Sequence, residues 1–251
     1  QAITGGTAML IQKTRGLLPA PEKILDVAVQ ALKLDLDTAL VIESRGLAAL
    51  TLTPQAKNMI STFFFGMNKV NGGASRPEGY ERYTTRKVGV LGAGMMGQGI
   101  AYVSAMAGID VVLKDVSEDA ARKGKAYSVA LLDKRVDRGR MSPQQREEIL
   151  ERITPTADNA DLQGCDLIIE AVFENIDLKQ QITREIEPCL AQGGVWGSNT
   201  STLPITQLAE ASGKPANFIG IHFFSPVDKM PLVEIIMGEK TSDETLARAF
   251  D

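Results

Sequence analysis

The stretch "KVGVLGAGMMGQGIAYVSAMAG", Lys87 to Gly108, constrains this chain more than any other. A short β-branched run ends at Gly92, glycines follow at 94 and 97, and an apolar helical pattern begins at once. The chain holds 23 glycines in 251 residues, so chance alone would yield about 0.2 such triplets. The motif is therefore weak by itself, and its place between a strand and a helix is what gives it weight. Gly92 permits the tight turn, Gly94 lets the backbone approach a pyrophosphate, and Gly97 lets the helix close on the strand. The helix start then offers unpaired N–H groups and a partial positive charge to phosphates. The following run, "DVVLKD", ends in Asp115, about 20 residues beyond the glycines, where a carboxylate accepts from ribose hydroxyls. It would repel a 2′-phosphate, and no arginine follows to receive one, which favours NAD over NADP. The plainer reading of Asp115 is a solvated aspartate ending a strand.

Around this loop short β-branched runs alternate with helical ones. The runs "CDLIIEAVF", "GGVWGSN", "NFIGIHFF" and "PLVEIIM" are separated by "SEDAARKGKAYSVALLDKRVDRG", "SPQQREEILERI" and "DLKQQITREIEPCLA". Ser142, Pro143 and Gln145 make a capping-box start for the helix over "SPQQREEILERI". Such alternation predicts an α/β fold, a doubly wound and mostly parallel sheet of the Rossmann type over 87–251. The first third differs. "PEKILDVAVQALKL" sets Ile24, Val27, Ala28, Ala31 and Leu32 on one helical face, and "TPQAKNMISTFFFGM" does the same with Met59, Ile60, Phe63, Phe64 and Met67. Residues 1–67 are thus expected as core-facing helices, and the polar, Gly-bearing stretch 68–86 as a linker.

Composition excludes rather than identifies. Apolar residues at 44%, charged residues at 23% and a net charge of −4 are ordinary for a soluble globular chain and give no reason to expect nucleic acid. No run of apolar residues is long enough to span a bilayer. Two cysteines, Cys165 and Cys189, make no disulfide framework, and no metal is expected.

His222 is the single histidine. A lone histidine beside apolar residues is more often a packed or capping side chain than a catalyst. Here, however, "SNTSTLPI" and "GIHFFSPV" fall at the carboxyl ends of strands, where open α/β sheets bind ligands. Oxidising an alcohol releases a hydride and a proton, and an imidazole, whose ordinary pKa is about 6.5, is suited to take the proton. Glu234, between Val233 and Ile235 in a strand expected to bury one face, needs a partner, and His222 is the obvious one. Its alternative is a strand-edge carboxylate facing water. Ser201 is placed to hydrogen-bond a substrate oxygen.

Together, "VGVLGAGMMGQGIA", "DLIIEAVFENIDLKQQ", "SNTSTLPI" and "HFFSPVDKMPLVEII" resemble the L-3-hydroxyacyl-CoA dehydrogenase family, over Lys87 to Gly238. The stretch from Gly16 to Arg86 is similar to the region following the enoyl-CoA hydratase domain in the alpha subunit of the bacterial fatty-acid oxidation complex, and within that group the motifs look most like the form associated with anaerobic growth. The resemblance implies His222 as catalytic base with Glu234 as its partner, and Ser201 touching both substrate oxygen and nicotinamide. It implies Met96 and Asp115 on the adenosine and pyrophosphate half of NAD, Val172, Phe173 and Glu174 bordering the cofactor through the backbone, and Lys179 reaching it. Many relatives carry an asparagine where Ser225 stands, which leaves that cofactor contact open. The resemblance further implies a 3-hydroxyacyl-CoA substrate, a thiolase beta subunit as partner and a cytoplasmic location. The hydratase core and the helical dehydrogenase domain that completes the substrate pocket are expected outside this chain, which is read as a fragment. A cofactor-binding module inactive by itself, and an NAD-dependent dehydrogenase of free 3-hydroxy acids, stand as the other readings.

Overall fold

A computed structural model describes residues 2–251, with side chains from residue 5 onward. The chain divides into two units, Gln1–Ser75 and Arg76–Asp251. Residue 1, included in the expected helical segment, lies outside the described residues.

The first unit is helical. It comprises α1 (Ala2–Thr14), α2 (Pro19–Ala31), α3 (Leu36–Thr51), α4 (Pro54–Met59), a π-helical stretch over Ile60–Gly66, and α5 (Met67–Asn71). Side-chain caps start two of these helices: Asp35 accepts from the Thr38 N–H and Thr53 from the Ala56 N–H. The helices form as the spacing predicts, but their apolar faces are not core-facing within this unit. Ile24 is 67% exposed, Leu32 81% and Phe63 67%, and Met59, Ile60, Phe64 and Met67 are exposed as well. Among the described residues of this unit only Gly46 is buried, where α3 crosses α2 closely enough that an added Cβ would lie 3.2 Å from Val27 Cγ2. Periodicity fixes which face of a helix is apolar; it does not supply the surface that covers it.

The second unit is built on seven strands: β1 (Lys87–Leu91), β2 (Asp110–Lys114), β3 (Ile153–Thr156), β4 (Cys165–Glu170), β5 (Leu190–Ser198), β6 (Phe218–Phe223) and β7 (Val233–Met237). Their order in the sheet is β3-β2-β1-β4-β5-β6-β7, all parallel except the antiparallel pair β6–β7. The connecting helices are α6 (Met95–Met106), α7 (Glu118–Asp137), α8 (Pro143–Glu151), α9 (Ile176–Ile186), α10 (Ile205–Ala209) and α11 (Asp243–Phe250). Central strands read as unbroken apolar runs because helices cover both faces; Val88, Val90 and Leu91 of β1 are all buried. This is the expected Rossmann-type sheet. β3 is the strand that sequence reading passes over as the end of a helix. It has four residues and carries Pro155, a residue confined to sheet edges, which is where β3 lies. Helix starts follow local chemistry: Ser142 and Gln145 form the capping box of α8, and Ser117, Asn175 and Ser242 cap α7, α9 and α11.

The stretch expected as a linker from 68 to 86 is not a uniform tether. Residues 67–71 are helical, and those from Arg76 onward bind the second unit. Arg76 makes a two-armed ion pair with Asp251, at 2.7 and 2.8 Å, and the Tyr83 N–H donates to the same carboxylate. Asp166 accepts from the Tyr83 hydroxyl and from the Arg86 and Lys87 N–H groups, and the Arg248 guanidinium lies over the Tyr83 ring. Among the described residues, no helix is long and apolar enough to cross a membrane, and no cluster of three His, Cys, Asp or Glu side chains is arranged to hold a metal ion.

Candidate active site

The sheet order reverses direction between β1 and β4, so the loops leaving these strands diverge and open a crevice at their carboxyl ends. The glycine loop forms one wall. Gly92 adopts φ +89°, and a Cβ there would meet the Ala171 carbonyl oxygen at 2.8 Å, so only glycine lets β1 turn this close to the β4 loop. A Cβ on Gly97 would lie 1.7 Å from the Gly92 oxygen, which fixes how tightly α6 closes on the loop. At Gly94, by contrast, an added Cβ would meet nothing within 4 Å. The open side of the loop is therefore its phosphate-facing side, beside the α6 N-terminus, which has no side-chain cap. These residues fit a dinucleotide: a bare backbone surface, a helix start and a carboxylate. That carboxylate is Asp115, whose Oδ2 accepts from the Ala93 N–H at 2.6 Å and whose Oδ1 accepts from the Val116 N–H at 2.7 Å. Asp115 thus braces the glycine loop, and its remaining lone pairs are available to ribose hydroxyls.

The other end of the crevice widens into a cavity of about 360 Å³ bordered by Met96, Val172, Glu174, Ser201, His222 and Ser225. His222 and Glu234 face each other directly across the antiparallel β6–β7 pair, and His222 Nδ1 lies 2.9 Å from Glu234 Oε2. The contact leaves Nε2 as the nitrogen available for chemistry. The pairing is as expected, but the environment of Glu234 is not: its side chain is 51% exposed, because β7 is an edge strand with no neighbour on its far side. His222 also rests against the Phe224 ring, at 4.6 Å between centroids.

Ser201 stands exposed on the loop after β5, and Ser225 is exposed beyond β6. Phe173 is 79% exposed and does not border the cavity. Lys179 is 1% exposed, and its Nζ lies 2.7 Å from Glu170 Oε1 and 3.1 Å from an oxygen of Glu174, which borders the cavity. Burial alone pushes the Glu174 carboxyl up, but hydrogen bonds from Thr200, Lys179 and the Ser201 N–H, with the Lys179 charge, outweigh it and hold the group below its usual range.

Three residues that sequence reading passed over complete the site. Glu170 is buried behind it; Thr200 donates to Glu174; and Asn199 Oδ1 accepts from the Phe223 N–H at 2.8 Å, tying the Ser201 loop to the strand of His222. A carboxylate inside the apolar run "CDLIIEAVF" was the available signal for Glu170, since a buried glutamate demands a cation.

A second cavity, of about 330 Å³, lies on the other side of the loop that follows His222. Lys134, Arg135, Arg138, Arg140 and Lys229 border it, with Asp228, whose carboxylate accepts from the Tyr127 hydroxyl at 2.7 Å. Arg135 Nε is buried there without a protein partner.

Residues 87–251 match the family of 3-hydroxyacyl-CoA dehydrogenase NAD binding domains. The chain belongs to this family. It is 39% identical over 245 residues to the fatty acid oxidation complex subunit alpha of Shewanella amazonensis, covering 96% of this chain and 34% of the relative. The subunit from Shewanella halifaxensis is 41% identical over 239 residues, covering 94% and 33%. The chain therefore spans about a third of the length of these curated relatives. Among solved structures, the (S)-3-hydroxybutyryl-CoA dehydrogenase of Ralstonia eutropha aligns with a TM-score of 0.63 at 40% identity, over 65% of this chain and 58% of that one. The 3-hydroxybutyryl-CoA dehydrogenase of Escherichia coli aligns with a TM-score of 0.64 at 33% identity, over 66% and 35%. Residues 87–251 are thus a 3-hydroxyacyl-CoA dehydrogenase-type NAD-binding domain.

Proposed function

We propose that this chain is the nucleotide-binding part of an enzyme that oxidises the 3-hydroxyl of a 3-hydroxyacyl-CoA to a 3-oxo group, with NAD as hydride acceptor. The observation that carries the reading is His222, paired with Glu234, bordering the same cavity as Ser201 and as Met96 of the glycine loop. The bound nicotinamide would supply the acceptor for the hydride leaving C3. His222 Nε2 takes the hydroxyl proton, while Glu234 holds the ring by Nδ1, fixes the tautomer and balances the imidazolium that forms. Ser201 orients the substrate oxygen. Gly94, Met96 and Asp115 would hold the adenosine and pyrophosphate half of the cofactor, Val172 and Glu174 would border it with Phe173 offering only its backbone, and Ser225 would stand at the nicotinamide end.

The basic cavity beside the loop after His222 suits an anionic substrate, whether CoA phosphate or free carboxylate; the names of the similar 3-hydroxybutyryl-CoA dehydrogenases favour the CoA thioester. The names of the similar alpha subunits support a place in a fatty-acid oxidation complex; a longer multifunctional, cytoplasmic protein paired with a thiolase beta subunit, in the form associated with anaerobic growth, is what the motif resemblance adds to the proposal.

The test is His222→Gln in a full-length enzyme carrying this domain. Turnover of a 3-hydroxyacyl-CoA is expected to fall roughly a hundred- to ten-thousandfold with NADH affinity unchanged. Equal activity would remove His222 from the role of base. A free 3-hydroxy acid assayed beside its CoA thioester separates the two substrate classes.

A further inference from the structure

Behind the cavity, three elements converge on one buried carboxylate. Glu170, at the end of β4, is 1% exposed. Its Oε1 accepts from Lys179 Nζ at 2.7 Å and from the Val172 N–H at 2.9 Å, and its Oε2 accepts from the Ser198 hydroxyl at 2.8 Å. Lys179, on α9 and equally buried, also pairs with Glu174. Glu174 Oε1 then accepts from the Thr200 hydroxyl and, at 3.2 Å, from the Ser201 N–H. An unbroken line of charged and hydrogen-bonded groups thus runs from inside the sheet to the main chain of Ser201.

Stability is a poor explanation for such a line. Desolvating two charges costs several kcal/mol per ion, and a buried pair is often replaceable by apolar side chains at no loss of stability. What an apolar replacement would not preserve is the end of the line. Without Lys179, Glu174 has no cation and its half-exposed carboxylate is free to turn to water, leaving Thr200 and Ser201 without their acceptor. Without the Glu170 charge, the ammonium has Glu174 as its only counter-ion and draws that carboxylate away from the Ser201 segment. We propose that Glu170 is a positioning residue: by fixing Lys179 it fixes Glu174, and through Glu174 it sets the Ser201 loop that closes the nicotinamide end of the cofactor site. This rests on the dinucleotide reading above and adds to it a residue that never touches cofactor or substrate.

The two ends of the cofactor separate this role from a general loss of structure. ADP-ribose probes the glycine loop and Asp115, and NADH probes both ends. Titrations with each would be run on the unaltered chain, on Glu170→Gln, which removes the charge but keeps size and acceptor, and on Thr200→Val, which removes the Thr200 hydrogen bond to Glu174, together with those the hydroxyl accepts from the Thr202 and Leu203 N–H groups, without disturbing a buried charge. NADH is expected to bind about tenfold more weakly to Glu170→Gln and about threefold more weakly to Thr200→Val, with ADP-ribose within about twofold throughout. Equal weakening of both ligands, or unchanged NADH affinity, would overturn the relay. Should Glu170→Gln fail to fold, Thr200→Val decides alone by the same two outcomes. Absence of NADH binding by the unaltered, folded chain would overturn the dinucleotide reading and the relay with it, whereas binding with unselective losses would overturn the relay only.

Discussion

The two units of this chain both carry helices with apolar faces and treat those faces in opposite ways. Among the described residues every buried hydrophobic side chain lies at residue 88 or beyond, while in the first unit Phe63, Phe64, Phe65, Leu36 and Leu52 are all more than half exposed. In the second unit each helix has a sheet to lie on, so α6 buries Ile100, Ala101 and Ala105 against strands whose other face is covered by α9 and α10. In the first, α2 and α3 pack on each other, and its described residues include no strand. An amphipathic period states a demand for burial; only topology says who meets it. Chemistry follows the same division, for the glycine loop, the His222–Glu234 pair and the buried charge relay all depend on strands held in register.

The comparison breaks most sharply at glycine. Gly97→Ala puts a methyl group into the Gly92 carbonyl, and is expected to cost the second unit at least ~3 kcal/mol, or its folding, with loss of NADH binding. Gly46→Ala, at a buried position of the first unit, first meets side-chain carbons of Val27 and Lys23 at 3.2 Å and beyond and should change stability by less than ~1 kcal/mol. Thermal unfolding with hydrogen exchange read separately in the two units checks both. A comparable loss from Gly46→Ala would mean that the first unit has a core of its own.

A pair of truncations sharpens the same contrast. Leu132→Ala empties a fully buried site beside Tyr102 and Leu150 and is expected to cost about 2–5 kcal/mol. Phe64→Ala removes a larger side chain that is 59% exposed, and should stay within ~0.5 kcal/mol. Chemical denaturation of each variant measures the difference.

The smallest effect concerns the segment joining onto the second unit. The Arg76 hydrogen bonds hold the Asp251 carboxyl down to about 2, from an ordinary value of 3.8. A depressed carboxyl pKa stabilises the fold fully above the ordinary value and loses that contribution as pH falls from about 4 toward 2. Arg76→Gln should therefore lower the melting temperature slightly at neutral pH, and the gap from the unaltered chain should close toward pH 2. A gap that persisted at pH 2 would show that Arg76 acts by packing rather than charge. In the first unit Asp35 is lowered too, by the Thr38 hydrogen bonds, so the cap it provides weakens in the same direction as pH falls.

Much of this architecture was legible in the residues. The glycine triplet between strand and helix, the alternation of β-branched and helical runs, and the capping box at Ser142 all act locally, and local rules sufficed for them. The His222–Glu234 pairing was legible because a strand glutamate needs a partner and the chain has one imidazole. What escaped was set by position in the sheet. β3 is too short and too proline-marked to be seen before its edge place is known; Glu234 lies in the open because β7 is the last strand; Lys179 turns inward because Glu170, nine residues away in sequence, is buried beside it. The exposed faces of the first unit escaped for the same reason, since the pattern names the apolar side and leaves its cover unnamed.

The account depends most on the glycine loop and Asp115 forming an NAD site in the second unit. The direct measurement is a fluorescence titration of the 251-residue chain with NADH and with NADPH, repeated on Asp115→Ala. Saturable NADH binding, at least about tenfold tighter than NADPH, with the preference lost in Asp115→Ala, is the result expected. Equal binding of the two nucleotides by the unaltered chain, or a preference that survives the loss of Asp115, would contradict it.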